Sequence, residues 1–277
     1  MTNVDTVQPA IVLSIAGSDS GGGAGIQADL RTFAALGVHG TTVLSAVTAQ
    51  NTLGVTGVSL LSETMVRAQL DAVLQDFDVA AVKTGMLASA EIIAVVGDYA
   101  KQGRLKNLVV DPVMVSTSNH ELLAAGGVDA YRRTLLPHAL LVTPNLGEAC
   151  ILADVVSADV TSLDDVAALG RAILNSGVRN VLVKGGHFGD DERSSVTDVL
   201  VSASGVIFID GPFHQTTNTH GTGCSLSAAI ATFLAQGDEL EVAVRRAKAF
   251  VFTALVGASS WRIGRGSGPI DHLGWNR

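Results

Sequence analysis

Short runs of aliphatic and β-branched residues alternate with longer segments of helical period along most of this chain, and that alternation narrows its fold more than any other feature. The runs at 11–15, 41–47, 79–82, 108–110, 140–143 and 181–183 read as buried strands. Between them, the segments 24–36, 64–77, 90–102, 128–136 and 163–175 space their apolar residues as helices do. Ser62 precedes the second of these segments and Thr161-Ser-Leu-Asp164 the last, both in the manner of helix starts. Repeated strand-then-helix order predicts a parallel sheet covered by helices on both faces. Near residue 195 the order changes, because 196–201 and 206–209 flank Ser202-Ala-Ser-Gly205 and read as an antiparallel edge hairpin. Two further helices are expected at 225–235 and 240–256. No repeat, linker or low-complexity tract divides the chain, so 11–277 is expected to form one domain behind a flexible tail at 1–10.

Composition excludes several function classes. The net charge is −8 with no Lys/Arg-rich run, which argues against a nucleic-acid or anionic-membrane surface. No apolar run approaches the ~18 residues of a membrane span, and the first ten residues carry neither Lys nor Arg, so neither a span nor a secretory signal is expected. Cys150 and Cys224, the only two cysteines, stand far apart and suit neither a disulfide framework nor a metal site. A reduced, cytoplasmic setting is expected. Any phosphate that binds must be held locally, by backbone N–H groups and a few placed cations.

In open parallel sheets the ligand lies beyond the carboxyl ends of the strands. The residues that follow the strands are Gly17-Ser-Asp19, Thr48-Ala-Gln50, Lys83-Thr-Gly85, Asp111-Pro-Val113, Pro144-Asn145 and Lys184-Gly-Gly-His187. Lys83 and Lys184 are costly there if idle, although either can be a plain surface lysine, and His187 can be an ordinary loop residue. Gly21-Gly-Gly-Ala-Gly25 fits a loose dinucleotide pattern, but no Asp or Glu occurs between Asp29 and Glu63 to hold a ribose. Gly-Lys occurs nowhere, which excludes a Walker loop. Gly221-Thr-Gly223 leads directly into a helix, so its N–H groups and the positive helix end converge on a spot that suits an anion. Cys224 stands at that helix start, where a thiol's pKa is expected to be pulled down and the sulfur to act as base or nucleophile. Cys150, in Ala149-Cys-Ile-Leu152, reads as core packing. Asp111, Asn145 and Glu148 offer the hard oxygen ligands that Mg²⁺ takes. Asn145 and Glu148 also read as a helix cap, and both roles can hold together.

Seven segments in register carry a resemblance: 15–29, Thr48-Ala-Gln-Asn51, Lys83-Thr-Gly-Met86, Asp111-Pro-Val-Met114, Thr143-Pro-Asn-Leu-Gly-Glu148, Val183-Lys-Gly-Gly-His187 and Asn218-Thr-His-Gly-Thr-Gly-Cys224. Together, and on to the tail Gly266-Ser-Gly-Pro-Ile-Asp-His272, the chain resembles the hydroxymethylpyrimidine/phosphomethylpyrimidine kinases of thiamine biosynthesis. These belong to the ribokinase-like superfamily. The resemblance implies a three-layer αβα fold with a mostly parallel central sheet and an antiparallel edge hairpin. It also implies ATP and Mg²⁺ as cofactors, an aminopyrimidine substrate and a homodimer. Carried over by position, Gly221, Thr222 and Gly223 form the anion hole, and Cys224 is the base that takes the hydroxymethyl proton. Asp29 and Gln50 hold the ring, with Gly17, Met86 and Val113 as walls and backbone contacts. Asn145 and Glu148 match the Mg-ATP motif, Asp111 is an acidic partner, and Lys184 and Lys248 fall in the nucleotide region. The chain departs from the family's pattern at Thr48 (often Val) and Gly147 (often Pro). It departs again in Val115-Ser-Thr-Ser-Asn119, which lacks the usual Gly in a loop that often covers the phosphates.

A pyridoxal kinase of the same superfamily is the nearest alternative, followed by thiazole and sugar kinases. Gln50 and Met86 favour the pyrimidine. A non-catalytic vitamin- or nucleotide-binding protein would keep a pocket without needing Cys224, Asp111 and Glu148 together.

Overall fold

The computed structural model describes residues 8–115, 122–157, 160–185 and 195–276. His187, residues 116–119 of the Val115 loop, and the tail up to residue 7 lie outside the described residues. Strand β1 (Ile11–Asp19) explains why the sheet is buried on both sides. Its side chains alternate, so Val12 joins one apolar cluster with Phe33 and Ala229, while Leu13 and Ile15 join the other with Leu70 and Ile93. The same split recurs in β4 (Val79–Thr84), β5 (Val109–Val110), β6 (Leu141–Val142) and β7 (Asn180–Val183). Ala81, Val109, Leu141 and Leu182 face one cluster, and Val82, Val110, Val142 and Val183 the other. Strands without a polar face are what a two-sided parallel sheet requires.

One nine-stranded sheet results, in the order β3-β2-β1-β4-β5-β6-β7-β8-β9. The pairs from β2 (His39–Asn51) through β1 to β7 are parallel. The edges are antiparallel: β3 (Gly54–Leu60) on β2, and β8 (Ser195–Ser202) with β9 (Gly205–Pro212) beyond β7. Helices α1 (Gly25–Ala35), α7 (Thr222–Ala235) and α8 (Leu240–Gly257) cover one face. Helices α2 (Glu63–Asp76), α3 (Ala90–Lys101), α5 (Leu146–Ala153) and α6 (Leu163–Leu174) cover the other. This is the expected three-layer architecture. The chain crosses from β1 to β2 on one side and returns to β4 on the other side of β1, so the strand order reverses there. Such a reversal opens a crevice at the carboxyl ends of the strands.

The structure differs from the sequence reading at four places. Strand β3 is exposed along most of its length, so it buries no face and leaves no apolar pattern to read. The expected helix at 128–136 is instead a short α4 (Gly127–Ala130), a π-turn over Tyr131–Leu135 and a 3₁₀ turn over Leu136–His138. Pro137, which has no N–H to donate, sits in that last turn. Helix α7 begins at Thr222, three residues before the expected start, which draws Gly223 and Cys224 into its first turn. The cap of α6 is Ser162 rather than Thr161, with Asp165 closing the capping box. Among the described residues no helix is long and apolar enough to cross a membrane.

The π-turn packs directly on α3. A Cβ at Gly97 would stand 2.6 Å from the carbonyl oxygen of Thr134, a backbone atom that cannot swing away. Gly97→Val should therefore destabilise the protein by about 1–3 kcal/mol, read as a lower urea midpoint at unchanged slope. An unchanged midpoint would contradict this packing.

Candidate active site

Two glycine loops meet at the carboxyl edge of the sheet. The first follows β1, and Asp19 organises it. One carboxylate oxygen accepts the N–H of Gly21 at 2.8 Å. The other accepts those of Gly23 and Ala24 at 3.0 and 2.8 Å. His220, from the second loop, places its Nε2 3.0 Å from that same oxygen. Burial alone would raise the Asp19 pKa, but His220 and the N–H donors outweigh it and hold the carboxyl below its ordinary value. The second loop enters α7 through Gly221, whose φ of +86° is the left-handed conformation that favours glycine. A Cβ on Gly221 would also run into the carbonyl of Gly23. No side chain caps α7; the Thr222 N–H donates to the Thr219 carbonyl at 3.3 Å, which leaves those of Gly223 and Cys224 for a ligand.

The structure brings Gly17, Met86 and Val113 together, while Gln50 contacts Thr48, Ser20 and His220. The methyl of Met86 lies against Gly17, where a Cβ would stand 2.5 Å from Cε. Met86 also packs with Ala46, Ala88 and Val113 as a small apolar wall. The Gln50 amide oxygen accepts from the Thr48 hydroxyl at 3.0 Å, and its nitrogen lies 3.4 Å from His220 Nε2. Thr48, which departs from the family's usual Val, thus holds Gln50 through its side chain. Asp29 differs from expectation. It is fully buried, accepting from Ser14 at 2.6 Å and from Lys83 Nζ at 2.9 Å on both oxygens, so it stands behind the pocket. Lys83 lies inside β4, also fully buried. Burial would lower its pKa, but the charges of Asp29 and Asp111 hold the ammonium well above the usual lysine range.

Asp111, Glu148 and Lys184 form a cluster. Lys184 Nζ lies 2.9 Å from Asp111 and 4.0 Å from Glu148. Burial opposes the Lys184 charge, yet the two carboxylates raise its pKa. Asn145 caps α5 by accepting from the Glu148 N–H at 2.9 Å, and Glu148 accepts the Asn145 N–H at 2.8 Å. The capping reading therefore holds, and Glu148 still faces Lys184. Burial, with Asp111 adding to it, pushes the Glu148 carboxyl up to about 7 against the pull of Lys184. Asp111 further accepts from Thr143 at 3.4 Å and from Ser227 of α7 at 3.3 Å. A Cβ on Gly223 would stand 3.3 Å from Lys184 Nζ and 3.8 Å from Asp111, so the open end of α7 rests on this cluster. Lys248 does not join it. It pairs with Asp198 at 2.6 Å, and Asp198 also accepts the N–H of Gly185, the residue after Lys184.

The donor set suits a hard cation carried by phosphates. Two carboxylates face one another across Lys184, with the Thr143 and Ser227 hydroxyls on Asp111. No group of three or more His, Cys, Asp or Glu among the described residues suits a metal, so a cation here needs phosphate and water to complete its shell.

Cys224 corrects the sequence expectation. Its thiol pKa is pushed up, to about 11, first by burial and then by the negative charges of Asp29 and Asp111. Lys83 and the N–H of Gly25 pull the other way without prevailing. The side chain is half-buried rather than sealed, and the thiol, not the thiolate, is its resting form at neutral pH. Reading the sequence also missed Asp19 and His220 as the pair that joins the loops. The position of Asp19 at the end of β1 was a usable signal; the pairing across 201 positions was not.

A family model described as phosphomethylpyrimidine kinase matches residues 19–271. The chain is 49% identical over 264 residues to the hydroxymethylpyrimidine/phosphomethylpyrimidine kinase of Rhizobium meliloti, an alignment covering 95% of this chain and 97% of that protein. Among solved structures, the phosphomethylpyrimidine kinase from Clostridium difficile 630 is 39% identical, with a TM-score of 0.77 over 89% of this chain and 99% of that one. The pyridoxal kinase from Staphylococcus aureus, in complex with AMP-PCP and pyridoxal, is 33% identical, with a TM-score of 0.86 over 98% and 96%.

The raised thiol pKa has a direct readout. Iodoacetamide should modify Cys224 and spare the buried Cys150, with a rate that rises about tenfold per pH unit from pH 7 to pH 9 and does not level off. A plateau below pH 8 would show that the helix start has won over burial.

Proposed function

The chain belongs to the phosphomethylpyrimidine kinase family and is a phosphotransferase, and from that premise we propose its substrate and the roles of its residues. It transfers a phosphoryl group from ATP to 4-amino-5-hydroxymethyl-2-methylpyrimidine and/or its monophosphate, in thiamine biosynthesis. The observation that carries this reading is the meeting of the uncapped α7 start with Lys184 and Asp111, in a loop whose His220 reaches Gln50.

Gln50 presents its amide to the ring's amino and aza edge, while Gly17, Met86 and Val113 form the wall. Asp29 acts through Lys83, fixing a positive charge behind the pocket rather than touching the ring. The N–H groups of Gly223 and Cys224, led in by Gly221 and Thr222, receive the transferring phosphoryl group, and Lys184 neutralises its charge. Asp111 and Glu148, oriented by Asn145, would hold Mg²⁺ against the nucleotide phosphates, where it supplies charge neutralisation. Lys248 lies at the rim of the nucleotide region, tied to the Lys184 loop through Asp198. Cys224 takes the hydroxymethyl proton. Because Asp111 is one of the charges that raise the thiol, neutralising Asp111 in the loaded site lowers the cost of the thiolate. Phosphoryl transfer through a loose transition state asks mainly for positioning, so the base needs to act only late.

Two free cysteines suit a reduced, cytoplasmic setting. The exposed Val47, Val58 and Leu60 on the β2–β3 hairpin offer an apolar surface for a homodimer. Pyridoxal is the second reading, favoured by the close match over nearly the whole chain to the Staphylococcus aureus structure.

The test measures ATP consumption with the hydroxymethylpyrimidine, its monophosphate and pyridoxal side by side. The pyrimidines should give the higher kcat/KM by about tenfold or more, since one or two ring hydrogen bonds are worth that much. Faster turnover of pyridoxal would replace the pyrimidine reading with the second one.

A further inference from the structure

Resting on the kinase reading above, we infer that His272 is a positioning residue for phosphoryl transfer. It fixes Ser225, Ser225 fixes the carbonyl of Gly221, and that carbonyl sets the aim of the N–H groups at the start of α7.

Gly221 has no side chain to cap the helix, so the turn into α7 is held from outside it. What restrains it lies behind. The carbonyl of Gly221 accepts both the N–H of Ser225 at 2.9 Å and its hydroxyl at 2.8 Å. Ser225 Oγ in turn lies 2.7 Å from His272 Nε2. The Ile270 carbonyl bonds the imidazole as well, so the neutral ring carries its proton on that side and Nε2 accepts, sharing the serine proton with the Gly221 carbonyl. Both side chains are buried, and burial, with Arg31 acting the same way, pushes the His272 pKa down to about 4, which keeps the ring neutral.

The segment that delivers His272 is bound to the same loop throughout. Gly268 accepts the N–H of His220 at 3.0 Å, and Ser267 donates to Thr217 at 3.0 Å. Asn218 donates to Ala258 at 2.7 Å and to Trp261 at 3.0 Å. Farther out, the N–H groups of Arg265 and Gly266 donate to Thr52 Oγ1, two residues past Gln50. One segment after α8 therefore holds the anion loop from behind and reaches the substrate strand. His272 is its deepest polar contact with α7.

The experiment compares His272→Gln, His272→Asn and His272→Leu in the full chain, reading kcat, both KM values and the thermal midpoint. Gln can place an amide oxygen where Nε2 stood, and Asn is too short to do so. His272→Gln should keep kcat within ~3-fold, whereas Asn and Leu should lose ~10²-fold in kcat with KM nearly unchanged, the cost of misaiming a transition-state contact. The Gln and Asn variants should melt together. Three outcomes would each overturn the inference: parental kcat in His272→Leu, no difference between Gln and Asn, or a kcat that follows the melting temperature across all three. If the parent turns over pyridoxal and not the pyrimidine, the substrate reading fails, while the same ranking measured with pyridoxal still judges His272. Protection of Cys224 from iodoacetamide by AMP-PCP gives a readout without turnover. It should persist in His272→Gln and weaken in His272→Leu, and equal protection in both would also count against the inference.

Discussion

The Asp19 carboxylate gathers four donors, the N–H groups of Gly21, Gly23 and Ala24 and the imidazole of His220, and the geometry of the site follows from that gathering. Three of the four belong to the loop after β1 and the fourth to the loop before α7, so one buried anion locks the two together. The lock works only because both loops are nearly bare of side chains. A Cβ on Gly23 would collide with the His220 ring, and one on Gly221 with the carbonyl of Gly23. The glycines thus serve close approach between two backbones, which in turn places a helix N-terminus beside the substrate pocket.

Behind this contact lies a second constraint, the fully buried pair of Lys83 and Asp29. Burying two charges is expensive, and removing one partner of such a pair typically costs about 3–5 kcal/mol. Stability alone is a weak reason to keep such a pair. Its position beneath Cys224 gives a functional one, since Lys83 is the largest influence that favours the thiolate. Asp29 and Asp111 work against it, so the sulfur's protonation state depends on how many of the surrounding charges are neutralised at a given moment. Empty, the site holds a thiol. The proposed proton transfer requires that balance to shift when the substrates bind.

Much of this was legible in the sequence. The two-sided strands announced a parallel sheet, and the hairpin after residue 195 was placed correctly because both of its strands bury a face. The β3 edge escaped because an exposed strand carries no pattern, and the turn around Tyr131 because helical spacing does not distinguish an α-turn from a π-turn. In the site, the residues at strand ends stood where the parallel topology puts them. What sequence spacing could not supply was pairing at a distance: Lys83 with Asp29, Asp19 with His220, and His272 with Ser225. For Cys224 the expected electrostatics did not hold. A helix start lowers a thiol's pKa, but desolvation and two carboxylates raise it more, and only the folded arrangement reveals which prevails.

The central claim is that the sulfur of Cys224 takes the proton. Its most direct test is the pH dependence of kcat in the parent and in Cys224→Asp, with ATP, Mg²⁺ and the hydroxymethylpyrimidine all saturating. A general base works only when deprotonated, so replacing a thiol by a carboxylate should move the acid limb of the profile down by at least ~2 pH units. Superimposable limbs in the two proteins would mean that another group accepts the proton and that the cysteine only fills space.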